Sequence, residues 1–373
     1  MNFKKLAIAA SAAAAATPAM AADLPVVAEP VEYVEVCSAA GAGYFKLPGK
    51  DVCLSISGKT RVTLTSHDLT ESYDDTQTIA NAGAWNEEVS YANAHSAKAE
   101  GFVYFDAVAF TEFATIKTHT EFEAEWNDLG EKTISTGNTY VQLGFDNVTV
   151  TAGRTGSAWT QFGGFSSIGV IGISSGGEDG LGVNVAASLG NGFTAEFAVE
   201  DANAYFDAKT ASKELNYIAT LGVAQGMFSA NLSAASFAYA QDERGFAVSG
   251  SAEIAATDKV TFGLGAAYAA DALTLIDAAG GDVTQGDDAR GFVVGAGVKV
   301  AMTDMLTGAL DASYASTEDD NNDEFSKTVV NGSLTYSPVA GLSMILDAGW
   351  ARSEANNVDS DEAKIATRLQ YSF

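Results

Sequence analysis

The chain has 373 residues with 48 acidic and 20 basic side chains, so its formal net charge is −28. A charge this negative argues against a nucleic-acid-binding protein, and the 10% of aromatic residues argues against a disordered chain. The 37 glycines and only 5 prolines favour many hydrogen-bonded strands with tight turns, because proline cannot donate to a sheet ladder.

The first 21 residues are a predicted secretory signal peptide. Lys4 and Lys5 precede a short alanine-rich run that ends in Ala19-Met20-Ala21, an A-x-A cleavage site. The run is too short for a transmembrane helix. Cleavage before Ala22 leaves 18 basic residues against 48 acidic ones, a net charge near −30.

Residues 22–52 are interpreted as a separate N-terminal segment, which contains Cys37. The other cysteine of the chain is Cys53. An even pair in an exported protein favours a disulfide. A metal pair is the alternative, but two thiols without a nearby histidine make a poor zinc site.

From Cys53 onward the hydrophobic period is two, which predicts amphipathic strands. The stretches "CLSISGKTRVTLTS" (residues 53–66) and "ATIKTHTEFEAEW" (residues 114–126) place apolar residues on one face and polar or charged residues on the other. The final "AKIATRLQYSF" alternates in the same way to Phe373.

The predicted connections alternate between short turns and long polar loops. The short turns are Phe110–Glu112, Asp146-Asn147, Asn191-Gly192, Gln225-Gly226, Asp258-Lys259, Asp304-Met305 and Pro338–Gly341. The long loops are His67–Asn93, Asp128–Ser135, Thr155–Gly180, Ala204–Lys213, Gln241–Gly245, Ala272–Ala289, Glu318–Glu324 and Ala355–Asp361. Seven turns and eight loops predict about sixteen strands.

These features predict an all-β fold: a transmembrane antiparallel β-barrel spanning residues 53–373 in a bacterial outer membrane. A sheet in lipid must close on itself so that every backbone polar group is paired. Short periplasmic turns and long extracellular loops are typical of such barrels. Sixteen strands are enough to enclose an aqueous channel.

The segment "PVEYVEVCSAAGAGYFKLPGKDVCLSISGKTRV" (residues 30–62) resembles the N-terminal region of the alphaproteobacterial porins, the family of Brucella and Rhizobium outer-membrane porins. "TEFATIKTHTEFEAEW", "TYVQLGFDNVTVTAGRTGSAW" and the final "RLQYSF" are also similar to that family. The resemblance implies a homotrimeric general diffusion channel whose third extracellular loop, here residues 155–180, folds into the pore.

A pore constriction selects ions through opposed charges. On the loop side the expected residues are Glu178 and Asp179, and the expected basic partners are Lys59, Arg61, Lys98, Lys117 and Arg368. The strand alternation predicts that the Arg154 side chain faces lipid, although the resemblance to the family's Gly-Arg position implies that it faces the lumen. Either a bulge at Gly153 turns it inward, or it already belongs to the loop.

Three functions remain open at this point. The first is a passive porin without a cofactor, with a preference for cations because of the net charge and of Glu121, Glu123 and Glu125. The second is a substrate-specific channel, for sugars for example, which needs aromatic lumen residues such as Phe102 and Tyr104. The third is a surface barrel or adhesin that does not conduct.

No enzyme is predicted. Gly172–Gly176 matches G-x-S-x-G around Ser174, but all three histidines lie upstream and the surroundings are loop. The stretch beginning at Asp319 starts like a calcium loop, but Glu324 and Val330 occupy the positions that need Gly and Glu.

The chain end is predicted to be the last barrel strand, which closes the ring by pairing with "CLSISGKTRV". Tyr371 and Phe373 would lie in the periplasmic aromatic girdle. The terminal Phe373 also resembles the signal by which outer-membrane barrels are recognised for insertion, which implies a barrel assembly machinery as partner.

Overall fold

The computed structural model describes residues 35–47, 49–66, 95–127, 130–173, 179–202, 214–240, 243–278, 288–319, 321, 323–355 and 358–373. The predicted signal peptide lies outside the described residues. No helix in these ranges is long and apolar enough to cross a membrane.

Two short strands come first, β1 (Glu35–Val36) and β2 (Phe45–Lys46), with a 3₁₀ turn at Ser38–Ala40 between them. Within the described ranges sixteen long strands follow. They are β3 (Cys53–Ser66), β4 (His95–Phe110), β5 (Thr115–Asn127), β6 (Lys132–Gly144), β7 (Val148–Gly156), β8 (Asp179–Gly190), β9 (Phe193–Asp201), β10 (Leu215–Gln225), β11 (Phe228–Ala240), β12 (Glu243–Thr257), β13 (Val260–Ala270), β14 (Arg290–Ala301), β15 (Leu306–Glu318), β16 (Glu324–Val339), β17 (Leu342–Ala355) and β18 (Val358–Ser372).

Each long strand pairs antiparallel with the next, and β18 pairs with β3 to close the barrel. The closing register sets Ser372 opposite Lys59 and Ile365 opposite Ser66. Backbone hydrogen bonds between Gly58 and Phe373, 3.0 Å in both directions, extend the seam to the last residue. The predicted sixteen-strand antiparallel barrel and its closing pair are confirmed.

The outer face of the barrel is apolar along every strand. Ile56, Leu264, Leu310 and Leu369 are typical, with about half of each side chain exposed. Such exposure would be an aggregation hazard in water, but it is the surface that a bilayer covers. The side chains of opposite parity point into the lumen.

The seven predicted turns all join neighbouring strands at one rim. Three of the predicted long loops are wrong. The strands continue through most of them, leaving connections of residues 128–131, 241–242 and 356–357. The strands on either side of these connections have 13 to 15 residues, more than the roughly 9–11 that a strand needs to cross a membrane. We infer that the polar residues lie on strand ends that extend beyond the bilayer.

The predicted disulfide between Cys37 and Cys53 is present, with the two Cα atoms 5.8 Å apart. Both cysteines are buried. The bond ties the N-terminal segment to the first residue of β3.

Candidate channel lining

One side of the lumen carries charged residues from β18, β3, β4 and β5, which we call the charged wall. The side chains of its members all point into the lumen. Directly paired residues lie on the same face of a sheet, as Arg61 does with Glu100 and Arg368 with Thr63. The basic members are Lys59, Arg61, Lys98, Lys117 and Arg368, and the acidic members are Glu100, Asp106, Glu121, Glu123 and Glu125. Their formal charges cancel.

Glu100 lies at the centre of an ion-pair network on this wall. It accepts two hydrogen bonds from the Arg61 guanidinium, at 2.5 and 2.7 Å. The Lys98 ammonium lies 3.1 Å from Glu100 and 2.7 Å from Glu125. Because a buried carboxylate is tolerated only when it is paired, these bases are what allow Glu100 to be 2% exposed.

The acidic group Glu100, Glu123 and Glu125 has carboxylate oxygens within 4.8 Å of one another, close enough to share a cation. The oxygens of Glu100 already accept from Arg61 and Lys98. The group is therefore better described as part of the ion-pair network than as a metal site.

The other predicted basic residues also lie on the charged wall. Arg368 donates from Nε to the Thr63 hydroxyl at 2.9 Å. Lys117 lies 3.7 Å from Asp106, whose carboxylate also contacts His119 Nδ1 at 3.0 Å.

A row of rings crosses this wall from β4 to β6. Phe102, Tyr104, His119 and Tyr140 follow one another with centroid distances of 6.5, 5.9 and 5.2 Å. The Lys59 ammonium lies 4.2 Å from the centroid of Phe102. The sequence singled out only the first two rings, because His119 and Tyr140 become their neighbours through strand pairing alone.

Arg154 lies inside β7, opposite Thr139 of β6. Gly153 before it has φ +137°, in the region that favours glycine. The guanidinium donates to the Thr136 carbonyl at 2.8 Å and borders a polar cavity of about 370 Å³ that Glu121 and Glu123 also line. The Arg154 side chain therefore keeps the outward strand position that the alternation predicts, and it shares the lining of this cavity with Glu121 and Glu123.

The predicted acidic pair of the loop has no described geometry. Glu178 lies outside the described residues, as does Ser174. Asp179 is the first residue of β8, where its backbone pairs with Gly156.

The opposite side of the lumen is covered by residues 157–173, which we call the loop segment. It contacts inward-facing side chains on one strand after another. Its start is fixed by Glu200 of β9, which accepts from the Ala158 amide at 2.9 Å. Farther along, the Thr220 hydroxyl donates to the Ala158 carbonyl at 2.7 Å and the Thr160 amide donates to Ser233 at 3.3 Å.

Two carboxylates hold the far part of the loop segment. Asp311 of β15 accepts from the Phe165 and Ser166 amides at 2.8 and 2.7 Å. Asp347 of β17 accepts from three consecutive amides at 3.1 to 3.2 Å, those of residues 168–170. Both carboxylates are almost fully buried, at 2% and 0% exposed, so these amides supply the hydrogen bonds that a buried charge requires.

A recess in the barrel wall accommodates the aromatic residues of the loop segment. A Cβ atom at Gly263 would overlap the Phe162 ring, and one at Gly265 would overlap the Phe162 Cβ atom. A Cβ atom at Gly297 would overlap the Asp311 carboxylate and lie 3.1 Å from both Phe162 and Phe165. These glycines face inward on β13 and β14, so the absence of side chains creates the space. No local pattern in the sequence connects these glycines, or Asp311 and Asp347, with the loop.

A second inward segment packs beside the first. A 3₁₀ turn at Leu273–Ile276, between β13 and β14, buries Leu273, Leu275 and Ile276. They share one hydrophobic cluster with Trp159 and with inward residues of β9–β15, most of them alanines. Small wall residues leave room for both segments, so this sector of the barrel is a packed core.

The barrel is closed and has an apolar exterior and a charged inner wall, and a chain segment is bound along the opposite inner wall. These features define the class of outer-membrane channel-type β-barrels. The model of a porin subfamily matches residues 23–371. The chain belongs to this porin subfamily, and its compartment is the bacterial outer membrane.

Curated relatives agree with this assignment. The chain is 30% identical to porin Omp2a of Brucella ovis over 227 residues, which cover 54% of this chain and 60% of the relative. It is 38% identical to porin Omp2b of Brucella canis over 124 residues, 32% of this chain and 30% of the relative. The matched regions thus span less than two thirds of these relatives.

Among solved structures the barrel is similar to OmpT, an outer-membrane protein of Vibrio cholerae. The TM-score is 0.60 at 9% identity, over 88% of this chain and 99% of OmpT. This likeness concerns the fold.

Proposed function

We propose that the protein is a passive outer-membrane porin, a water-filled channel through which small hydrophilic solutes and ions diffuse. The proposal depends on a difference between the two inner walls: one is covered by the loop segment, and the other carries charged side chains. The loop segment is bound along β9–β17, and the charged wall of β18 and β3–β5 lies opposite. Charged side chains on a lumen wall are hydrated in a wet channel and would be costly in a dry one.

We propose further that the loop segment and the charged wall together form the constriction. The charged groups assigned to it are Lys59, Arg61, Lys98, Lys117, Arg154 and Arg368, with Glu178 and Asp179 on the loop side. The ion pairs of Arg61, Lys98 and Lys117 with acidic residues of the charged wall, such as that of Lys98 with Glu125 at 2.7 Å, support a fixed rather than a mobile charge pattern.

No catalytic role is assigned to any residue, and the protein acts without a cofactor. It assembles as a homotrimer, in line with its family and with the trimer form in which OmpT of Vibrio cholerae has been solved. The barrel assembly machinery is a further partner, and it recognises this chain through Tyr371 and Phe373.

Liposome swelling tests the proposal. Proteoliposomes containing the purified protein are placed in isosmotic solutions of neutral sugars of increasing size. A general porin predicts swelling rates that fall smoothly with molecular mass. Absence of swelling with the smallest sugar, from protein that shows the heat-modifiable mobility of a folded barrel, would contradict it.

The ring row of Phe102, Tyr104, His119 and Tyr140 favours a second candidate function, a channel with affinity for a class of solutes such as sugars. Phe102 is only 6% exposed, so Tyr104, His119 and Tyr140 are the rings that would offer apolar contact area to sugar rings. This candidate predicts that a sugar blocks the ion current at low concentration and that Tyr140→Ala weakens the block. A general porin predicts no block.

A further inference from the structure

The disulfide places the N-terminal segment on the lumen side of the wall. Cys53 is the first residue of β3 and has the inward parity of Ser55 and Lys59. Its partner Cys37 is therefore attached to the inner face of β3, at the rim where the short turns lie. Neither cysteine is more than 5% exposed, so the bond is enclosed by neighbouring chain.

Backbone pairing fixes the segment a second time. In β2, Phe45 pairs with Leu54 and Lys46 with Cys53, at the end of β3 that β18 leaves free because Phe373 reaches only to Gly58. The Cys37 amide donates to the Tyr44 carbonyl at 2.9 Å. Residues 37–44, which we call the N-terminal loop, are thus closed on themselves and anchored at both ends.

The loop lies against the inward face of β3, where a Cβ atom at Gly43 would be 3.8 Å from the Ser55 hydroxyl, and Ser55 pairs with Asp106 of the charged wall. Burial, followed by the Asp106 carboxylate, raises the pKa of Tyr44 above its usual value, and Lys117 opposes that effect. Asp106 and Lys117 belong to the charged wall. Tyr140, the last ring of the ring row, also raises the pKa of Tyr44 through its charge. Gly41 and Gly43 have φ values of +109° and +85°, which allow the tight path.

We propose that the N-terminal loop forms a second narrowing of the channel, at its periplasmic mouth, and that Tyr44 is a size-determining residue there. This narrowing is separate from the constriction by the loop segment, which is fixed to β9–β17. The inference rests on the proposed channel function. It assigns the disulfide a role in permeation, because the bond holds the loop against the inner wall.

Single-channel recording with polymer exclusion tests this. We expect Tyr44→Ala to raise the conductance on the order of 1.5-fold, since the narrowest cross-sections limit current, and Tyr44→Trp to lower it. Larger polyethylene glycols should enter Tyr44→Ala from the periplasmic side, with the extracellular cut-off unchanged. Tyr217→Ala is the matched control, because Tyr217 is an outward residue with 44% of its surface exposed.

The disulfide is tested separately with the double variant Cys37→Ser/Cys53→Ser, which should show the same periplasmic shift as Tyr44→Ala. If that variant does not fold, the inserted wild-type channel is reduced in the bilayer and thiol release is measured with the conductance. Unchanged conductance and cut-off in the Tyr44 variants and after loss of the bond would overturn the inference alone. A folded wild type without any conductance would overturn the proposed channel function as well.

Discussion

At the scale of single residues, buried carboxylates hold the loop segment in place. Asp347 is fully buried and accepts hydrogen bonds from three consecutive backbone amides. Asp311 accepts from the Phe165 and Ser166 amides and from the Ser166 hydroxyl at 2.5 Å. A charged acceptor contributes more per hydrogen bond than a neutral one, so each aspartate is a strong attachment point.

Asp347→Asn is expected to loosen the loop segment. The amide loses the charge and presents an NH₂ group to backbone donors, which should destabilise the attachment by about 1–3 kcal/mol. The open-channel current should become noisier and should close at lower voltage. Asp304→Asn, in an exposed turn, is the control. Recordings in which both variants match the wild type would show that the attachment does not depend on Asp347.

Gly58 offers a residue-scale test of the barrel seam. A Cβ atom there would overlap the Phe102 carbonyl oxygen and lie 2.8 Å from the Phe373 ring. We expect Gly58→Val to lower the melting temperature of the folded barrel in detergent. Gly101→Val is the matched control, since a Cβ atom at Gly101 meets nothing within 4 Å. Equal melting temperatures for the two variants would argue against a tightly packed seam.

Strand parity alone predicted the inward direction of Lys59, Arg61 and Lys98, because an alternation of period two assigns every side chain to a face. The same reasoning could not find Asp311 or Asp347. They contact the loop segment across more than 140 residues of sequence, and nothing local distinguishes a carboxylate that holds a loop from one that faces water.

At the scale of elements, β18 ends as the sequence predicted, as a strand that closes the ring. Its predicted second role in assembly has its own test. Phe373→Ala should slow insertion by the assembly machinery without changing the conductance of inserted channels. Phe110→Ala is the control, because Phe110 is another exposed aromatic at the rim of the short turns. Equal insertion rates for the two variants would refute the signal role and leave the strand assignment intact.

Element boundaries were the weaker part of the sequence prediction. Polar stretches such as residues 128–135 and 355–361 were expected to be loops, yet β6 begins at Lys132 and β18 at Val358. Above the membrane both faces of a strand meet water, so the alternating pattern fades while the backbone ladder continues. The inward turn at Leu273–Ile276 was missed because its leucines resemble any short apolar run.

At the scale of the whole molecule, electrostatics sets the expected ion preference. The charges of the charged wall cancel, so this wall does not oppose the negative field of a chain whose formal net charge is −28. We predict cation selectivity, measured as a reversal potential across a KCl gradient. The double variant Glu121→Gln/Glu123→Gln should reduce it, and anion selectivity of the wild type would contradict the prediction.

We propose that the barrel encloses a continuous water-filled path. Single-channel recording of the purified protein in a planar bilayer measures this path directly. We predict discrete, ohmic current steps whose conductance scales with that of the bulk KCl solution, with closures in groups of three for a trimer. A correctly folded barrel that inserts into the bilayer and gives no current steps would contradict the claim.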